Sequence, residues 1–438
     1  MDKSKKYGIV LGGGGSKGAY QIGVWKAISE LEISYTAVTG TSVGALNGAF
    51  MAQEDLIDAL HVWNNMDNTA VMKDMPPLTE DDNNFIDVMR AFTRQIVKKG
   101  AVDISPLEEL ITTMVDEDKI RKSDIDFGLV TVQIPSMQEI AIFTEDIPKG
   151  KLCDYLLASA SCFPAFKAHE IDNTHYIDGG YRNNIPVDLL LKSKKKIDEI
   201  IVVDVKGVGV IKDIKSDKPI HYITSYWDLG NFLIFDGKQC RRNIQLGYLD
   251  TLKAFSHYEG IIYTFEKEEK TKLNNIYRDK LNQTIETIIE NADIDVNDFI
   301  TSIVTDILFV TLKDRMNVTR NAFDNSELVQ YVSEICGEIL ELEPTLVYTK
   351  EQFIGEIENR YMTILNENIV TLNKITNEKL LSSKLLTSIG NRSIIMLAIQ
   401  RRIHRLILEN ERFQALELVA AMFPKELMGA IFLETLIN

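Results

Sequence analysis

A serine set between glycines, just after an apolar run, constrains this chain more than anything else in it. The stretch is Thr39-Gly40-Thr41-Ser42-Val43-Gly44-Ala45-Leu46-Asn47-Gly48. A β-like run, Ser34-Tyr35-Thr36-Ala37-Val38, precedes it, and a helix ending Ala49-Phe50-Met51-Ala52 follows. A strand that turns sharply into a helix leaves no space for side chains beside the turn, which accounts for Gly40 and Gly44. The strain lifts the Ser42 hydroxyl above the sheet edge, the geometry of a nucleophile elbow. The Val43 amide then sits at a helix start, aimed where an oxyanion would form. Small residues at Gly44, Ala45, Gly48 and Ala49 let the helix lie close to neighbouring backbone. Gly-x-Ser-x-Gly by itself also describes an ordinary serine in a glycine-rich loop, so the rest of the chain must decide.

A second strand–turn–helix unit precedes it. Tyr7-Gly8-Ile9-Val10-Leu11 reads as a buried strand, followed by Gly12-Gly13-Gly14-Gly15-Ser16-Lys17-Gly18 and an amphipathic helix from Ala19 to Leu31. Backbone amides at such a junction point outward and make an anion cradle. Gly13-x-Gly15-x-x-Gly18 fits the dinucleotide fingerprint formally, but that use wants an acidic residue ending the next strand. The next strand ends in the Ser42 elbow instead. A P-loop needs Gly-Lys-Ser/Thr, and the order here is Ser16-Lys17-Gly18. An oxyanion hole, its amides supplied from a loop beside the nucleophile, is the use that makes both units serve one site.

At 438 residues the chain has length for a large core and two domains. No apolar run approaches a membrane span, and Met1 to Lys6 with the brief run after it does not read as a signal peptide. Cys153, Cys162, Cys240 and Cys336 are scattered without a Cys-x-x-Cys, which predicts free thiols and a cytoplasmic location. A net charge of −16 argues against nucleic acid as partner. Docking on an anionic bilayer would then need a local basic patch.

Residues 53 to 123 read as helical, broken at Pro76-Pro77, with an acidic turn at Glu80-Asp81-Asp82; Trp63, Phe85 and Phe92 read as core or lid residues. Strands are expected at Ile125 to Val132, Glu139 to Phe143 and Ile200 to Val205, and a helix from Asp154 to Ala160 stopping by Pro164. His175-Tyr176-Ile177-Asp178-Gly179-Gly180 ends a strand at an acid followed by two glycines, a tight turn that also fixes a carboxylate at a strand end. Leu229 to Phe255 is expected as one long helix, and Gly260 to Phe265 as the last strand. From residue 266 the pattern turns helical to Asn438, with a charge-rich stretch at Glu266 to Lys272 as linker. We expect domains at 5–265 and 266–438.

Four segments in order carry a resemblance: Gly13-Gly14-Gly15-x-Lys17-Gly18; Gly40-Thr41-Ser42-Val43-Gly44; Ala158-Ser159 with Pro164 and Phe166; and Asp178-Gly179-Gly180. Over residues 5 to 265 the chain resembles the patatin-like phospholipases, a family of lipid acyl hydrolases. The resemblance implies an α/β fold, a three-layer α/β/α core with a mostly parallel sheet, beside which the all-α C-terminal region stands outside the family pattern. It implies a Ser–Asp dyad, with Ser42 as nucleophile and Asp178 as its base. Gly13, Gly14 and Gly15 would supply oxyanion-hole amides alongside Val43, and Lys17 would support the loop. The substrate would be a phospholipid or other acyl lipid, with no cofactor and no metal. An aspartate near pKa ~4 is a weak base for a serine hydroxyl, so the site must raise it by burial.

His221, His257 and His404 follow Asp178 and could complete a triad in the order Ser, Asp, His, but each reads as structural or surface. Arg392, Arg401, Arg402 and Arg405 lie on a stretch whose isoleucines at 395, 399, 403 and 407 stack at helical spacing. That helix reads either as peripheral membrane contact or as a core helix whose arginines pair with acids. The C-terminal region is a candidate for homo-oligomer or protein-activator contacts. Two other functions stay open: a soluble acyl-ester esterase or thioesterase, and a non-enzymatic partner-binding module.

Overall fold

The computed structural model describes residues 4–76, 85–99, 102–267, 272–292, 325–377, 390–409 and 416–437. Pro77, the acidic turn at Glu80-Asp81-Asp82 and residues 268–271 of the charge-rich stretch lie outside the described residues. The chain divides into two compact units, Met1–Ser256 and His257–Asn438. No helix among the described residues is long and apolar enough to cross a membrane.

The first unit is built on one sheet. Its strands are β1 (Tyr7–Leu11), β2 (Tyr35–Thr41), β3 (Asp126–Ile134), β4 (Gln138–Phe143), β5 (His169–Ile171), β6 (Thr174–Asp178), β7 (Glu199–Asp204) and β8 (Ile220–Thr224). Their order is β5-β6-β3-β2-β1-β7-β8, with β4 also on β3. Pairing is parallel from β3 through β2, β1 and β7 to β8, and antiparallel among β3, β4, β5 and β6. β1 and β7 are buried along their whole length, as expected of central parallel strands covered on both faces.

Period-two alternation feeds two cores. Ile9, Leu11, Val38, Ile201 and Val203 face the larger one. Val10, Ala37, Ile200 and Val202 face the smaller one, with Val187 and Leu190. The helices are α1 (Ala19–Glu30), α2 (Val43–Gln53), α3 (Leu56–Asn64), α4 (Phe85–Lys99), α5 (Ser105–Met114), α6 (Glu117–Lys122), α7 (Leu152–Ser159), α8 (Val187–Leu190) and α9 (Gly237–Ala254). Residues of α1, α2, α3, α5 and α7 fill the larger core and residues of α8 the smaller one, so helices lie on both sides of a mixed, mostly parallel sheet.

α9 starts later than the expected Leu229. Gly230 takes a φ of +86°, and the Asp236 side chain accepts from Gln239 N at 2.8 Å to cap the helix. The expected strand at Gly260 to Phe265 is also placed differently. In the second unit β9 (Thr264–Phe265) pairs in parallel with β10 (Val347–Tyr348), so it is not a strand of the large sheet. A short apolar run does not say which sheet receives it.

Otherwise the second unit is helical: α10 (Lys272–Ala292), α11 (Asn325–Ile339), α12 (Lys350–Glu367), α13 (Ile369–Asn377), α14 (Arg392–Glu409), α15 (Leu416–Met422) and α16 (Pro424–Ile437). The isoleucine stripe of α14 is interior at Ile395, Ile399 and Ile403. Arg402 is buried, and Arg392 is ion-paired with Glu426 at 2.6 Å and Glu338 at 3.0 Å. Gln400 and His404 both reach the buried Glu434 carboxylate of α16, at 2.7 and 2.9 Å. Arg401 and Arg405 are half-buried. At Arg392 and Arg402 this is the arrangement of a core helix.

Candidate active site

The placement of Ser42 and Asp178 follows from β3. Residues 128–130 of β3 pair with both β2 and β4, so those two strands occupy opposite edges. Residues 131–133 pair with both β4 and β6, so β6 lies on the same edge as β2. β2 ends there with Thr41 opposite Val130, and β6 ends with Asp178 opposite Thr131. The two strands run toward each other and stop one residue apart, and the next residue after Thr41 is Ser42.

Ser42 has φ 55° and ψ −128°, a conformation that costs energy in a residue with a Cβ and that the surroundings must enforce. They do so through close approach. A Cβ on Gly40 would lie 2.1 Å from the Gly44 carbonyl oxygen, and one on Gly44 would lie 2.2 Å from that of Leu11. Both glycines are required by space. The Ser42 amide donates to Ser159 Oγ at 2.9 Å, and that hydroxyl donates to the Val130 carbonyl at 2.7 Å. Ser159, at the end of α7, therefore ties the elbow to β3. Ser159→Ala leaves a buried amide without its acceptor. It should lower stability by about 1–3 kcal/mol, measured by denaturant unfolding.

Asp178 is 8% exposed, with the Ser42 side chain close enough to favour its charged form. Its Oδ1 accepts from the Gly180 amide at 2.8 Å. Burial pushes its pKa up to about 6, against the smaller opposing effects of Ser42 and of that bond. The glycine loop lies over the same spot: a Cβ on Gly13 would sit 3.2 Å from Ser42 Cβ. The Gly13 amide donates to the Asn184 carbonyl at 3.2 Å, and Asn184 Nδ2 donates back to the Gly13 carbonyl at 3.3 Å. The amides of Gly14, Gly15 and Val43 have no acceptor among the described residues.

Lys17 donates to the Lys206 carbonyl at 3.3 Å, a strut between the glycine loop and the chain after β7. Burial lowers its pKa, opposed by Asp228 and Asp204. The Gly18 carbonyl accepts from Asn47 Nδ2 at 3.0 Å, and that amide also donates to Gln21 Oε1 at 2.8 Å. Trp63 Nε1 in turn donates to Asn47 Oδ1 at 2.9 Å. Gly179 accepts from the Arg182 and Asn183 amides, which closes the turn after Asp178.

A cavity of about 330 Å³ opens beside Ser42 and Asp178. Gly13, Gly14, Gly15, Val43 and Gly180 line its polar end. The rest is apolar: Phe50, Val62, Leu107, Ile111, Phe166 and Phe235 belong to its wall. Trp63 of α3, read as core or lid, lines the cavity, but Val62 and the α5 wall were not legible as site residues, since apolar positions at helical spacing read as core. Asn184 was not singled out either; its position two residues before Pro186 carries no signal of its own. No histidine lines the cavity. His221 is bonded to Glu199 at 2.7 Å and stacks on Phe255, His169 is bonded to Asp154, and His404 is bonded to Glu434.

Known proteins share this region. Residues 9–191 match the family model described as patatin-like phospholipase. Patatin-like phospholipase domain-containing protein 7 of Rattus norvegicus is 26% identical over 209 residues, covering 45% of this chain and 13% of that protein. Neuropathy target esterase sws of Drosophila melanogaster is 29% identical over 199 residues, 42% of this chain and 12% of that protein. This chain thus spans a small part of either relative's length. The crystal structure of VipD from Legionella pneumophila aligns with 99% of this chain and 91% of that one at a TM-score of 0.35 and 13% identity, too distant to bear on fold or function. A strained serine, a buried aspartate, a glycine loop and a matching family model converge on the same segment of sequence: at residues 9–191 the chain carries a patatin-like phospholipase domain.

Proposed function

We propose that this chain is a serine lipid acyl hydrolase of the phospholipase A type, cleaving fatty acyl esters of glycerolipids through a Ser42–Asp178 dyad. The observation that supports it most is that strained Ser42 and the buried Asp178 carboxylate of raised pKa meet at neighbouring residues of β3 and line one apolar cavity. An aspartate at about 6 is a far better proton acceptor than one at 3.8, yet it is still ionised at neutral pH.

In this reading the acyl chain enters the apolar cavity and places its ester carbonyl over Ser42. Asp178 takes the hydroxyl proton as Ser42 Oγ bonds to the carbonyl carbon. The oxyanion is met by the amides of Gly14, Gly15 and Val43, while Gly13 is spent on Asn184. The proton passes from Asp178 to the leaving alkoxide, and the lysolipid departs. A water then gives its proton to Asp178 and attacks the acyl-enzyme, releasing fatty acid and the Ser42 hydroxyl. Four free thiols accord with a reducing cytoplasm as the working compartment. Contact with a lipid surface is part of the reading, and burial of Arg402 leaves α14 a poor means of making it.

The test is fatty-acid release from mixed phospholipid vesicles by the wild type and Ser42→Ala. Release confined to the wild type supports the reading. Turnover of short monomeric esters with no gain above the micellar threshold would favour a soluble esterase. A Ser42 that no serine-reactive phosphonate labels would favour a non-enzymatic module.

A further inference from the structure

The stretch Lys206–Lys212, between β7 and β8, is pinned along its length. Lys206 N donates to Asp204 Oδ1 at 2.7 Å. In the middle Val210 N donates to the Gly180 carbonyl at 2.8 Å, and Asn184 N donates to the Val210 carbonyl at 2.7 Å. At the far end Lys212 Nζ reaches Glu139 and Asp188, each at 2.8 Å. A strap held this firmly would ordinarily turn its apolar side chains inward. Here Val208, Val210 and Ile211 are 56%, 50% and 49% exposed.

Val208 and Val210 also line the acyl cavity, so the strap forms part of its rim. The rim continues across the site. Tyr181 lines the cavity, is 39% exposed, and donates its hydroxyl to the Phe163 carbonyl; Phe163 is 48% exposed. Tyr181, Val208 and Val210 thus carry exposed apolar surface at an apolar cavity, and Phe163, bonded to Tyr181, and Ile211, next to Val210, extend it. Between Lys206 and Lys212 there is no acidic residue.

We propose that this rim is the docking surface for a phospholipid bilayer. Its side chains enter the acyl boundary, and the cavity wall then continues the hydrocarbon. An acyl chain moving from bilayer to cavity would stay out of water. The proposal deepens the acyl-hydrolase reading and rests on it for the choice of lipid as occupant. It places bilayer contact on rigid loops of the first unit.

The test uses the full chain in the Ser42→Ala background, so that lipid stays intact, and sucrose-loaded phosphatidylcholine vesicles. Phe163→Gln with Ile211→Gln alters two rim side chains, neither of which lines the cavity. We expect Ser42→Ala to sediment with vesicles and the added rim pair to weaken partitioning by about tenfold or more. Ile211→Gln alone should give a smaller loss in the same direction. In the Ser42 background the rim pair should hydrolyse a monomeric butyrate ester like the wild type. Equal sedimentation with and without the rim substitutions overturns the proposal. So does a Ser42→Ala chain that ignores vesicles, which would reassign the rim to a protein partner. Should no ester of any kind be hydrolysed, the acyl-hydrolase reading fails separately. Thermal melting then replaces turnover as the folding control, and vesicle binding still decides the docking surface.

Discussion

Ester hydrolysis by Ser42→Ala is expected to fall by at least about 10⁴-fold, and by Asp178→Asn about 10³-fold, with the double substitution no worse than the first. The non-additivity is the informative part. In the proposed dyad Asp178 acts on the reaction only through the proton it takes from Ser42 or from water, so it has nothing to do once the serine is gone. Two residues acting separately would instead multiply their losses. The same carboxylate sets the pH profile. With a pKa of about 6, kcat/KM should rise tenfold per unit below that value and level off above it. Asp178→Asn should remove the inflection from whatever activity remains. A wild-type profile with no inflection near there, or residual activity in Ser42→Ala equal to the wild type, would remove the dyad from consideration.

A gain in stability is expected from the same substitution. Asp178 is held at about 6 in the fold against an ordinary 3.8. Between those values the folded state binds the proton that the unfolded state releases, so unfolding free energy falls as pH rises through this window. At about 1.4 kcal/mol per pKa unit, the ionised carboxylate costs the fold roughly 3 kcal/mol at neutral pH, and almost nothing below about pH 3, where both states are largely protonated. Asp178→Asn removes that cost and keeps an oxygen for the Gly180 amide. The first unit should therefore be stabilised by about 1–3 kcal/mol at pH ~7.5, with no gain in acid. Trp25, Trp63 and Trp227 all lie in that unit, so their fluorescence during denaturant unfolding follows it selectively. A variant less stable than wild type at neutral pH would mean that burial does not penalise the Asp178 charge.

What the sequence revealed depended on whether a residue's task was local. The Ser42 elbow and the glycine loop are strand–turn–helix units whose constraints fall within ten residues, and glycine spacing exposes them. Asp178 was legible as a carboxylate fixed by a turn, but its distance from Ser42 was not. That depends on β2 and β6 both pairing with one β3 edge, and such non-local strand pairing leaves no mark in local pattern. The cavity wall was illegible for a different reason. Leu107 and Ile111 face an empty volume and Ile120 a filled one, yet their sequence contexts look alike. The same blindness applied to Gly260–Phe265, whose partner strand lies some 80 residues further on.

Seating both reacting groups opposite neighbouring residues of one strand has a consequence for control. Val130 and Thr131 act as adjacent notches on a ruler, and the backbone spacing between the proposed nucleophile and base is read off that ruler. Rearrangements elsewhere leave this backbone register unchanged for as long as the sheet holds. On the proposed reading such a weapon is always loaded: it is not uncocked, only holstered. If the proposed acyl-hydrolase reading holds, restraint has to act on who reaches the barrel, by covering the rim or by withholding the surface it would sit on.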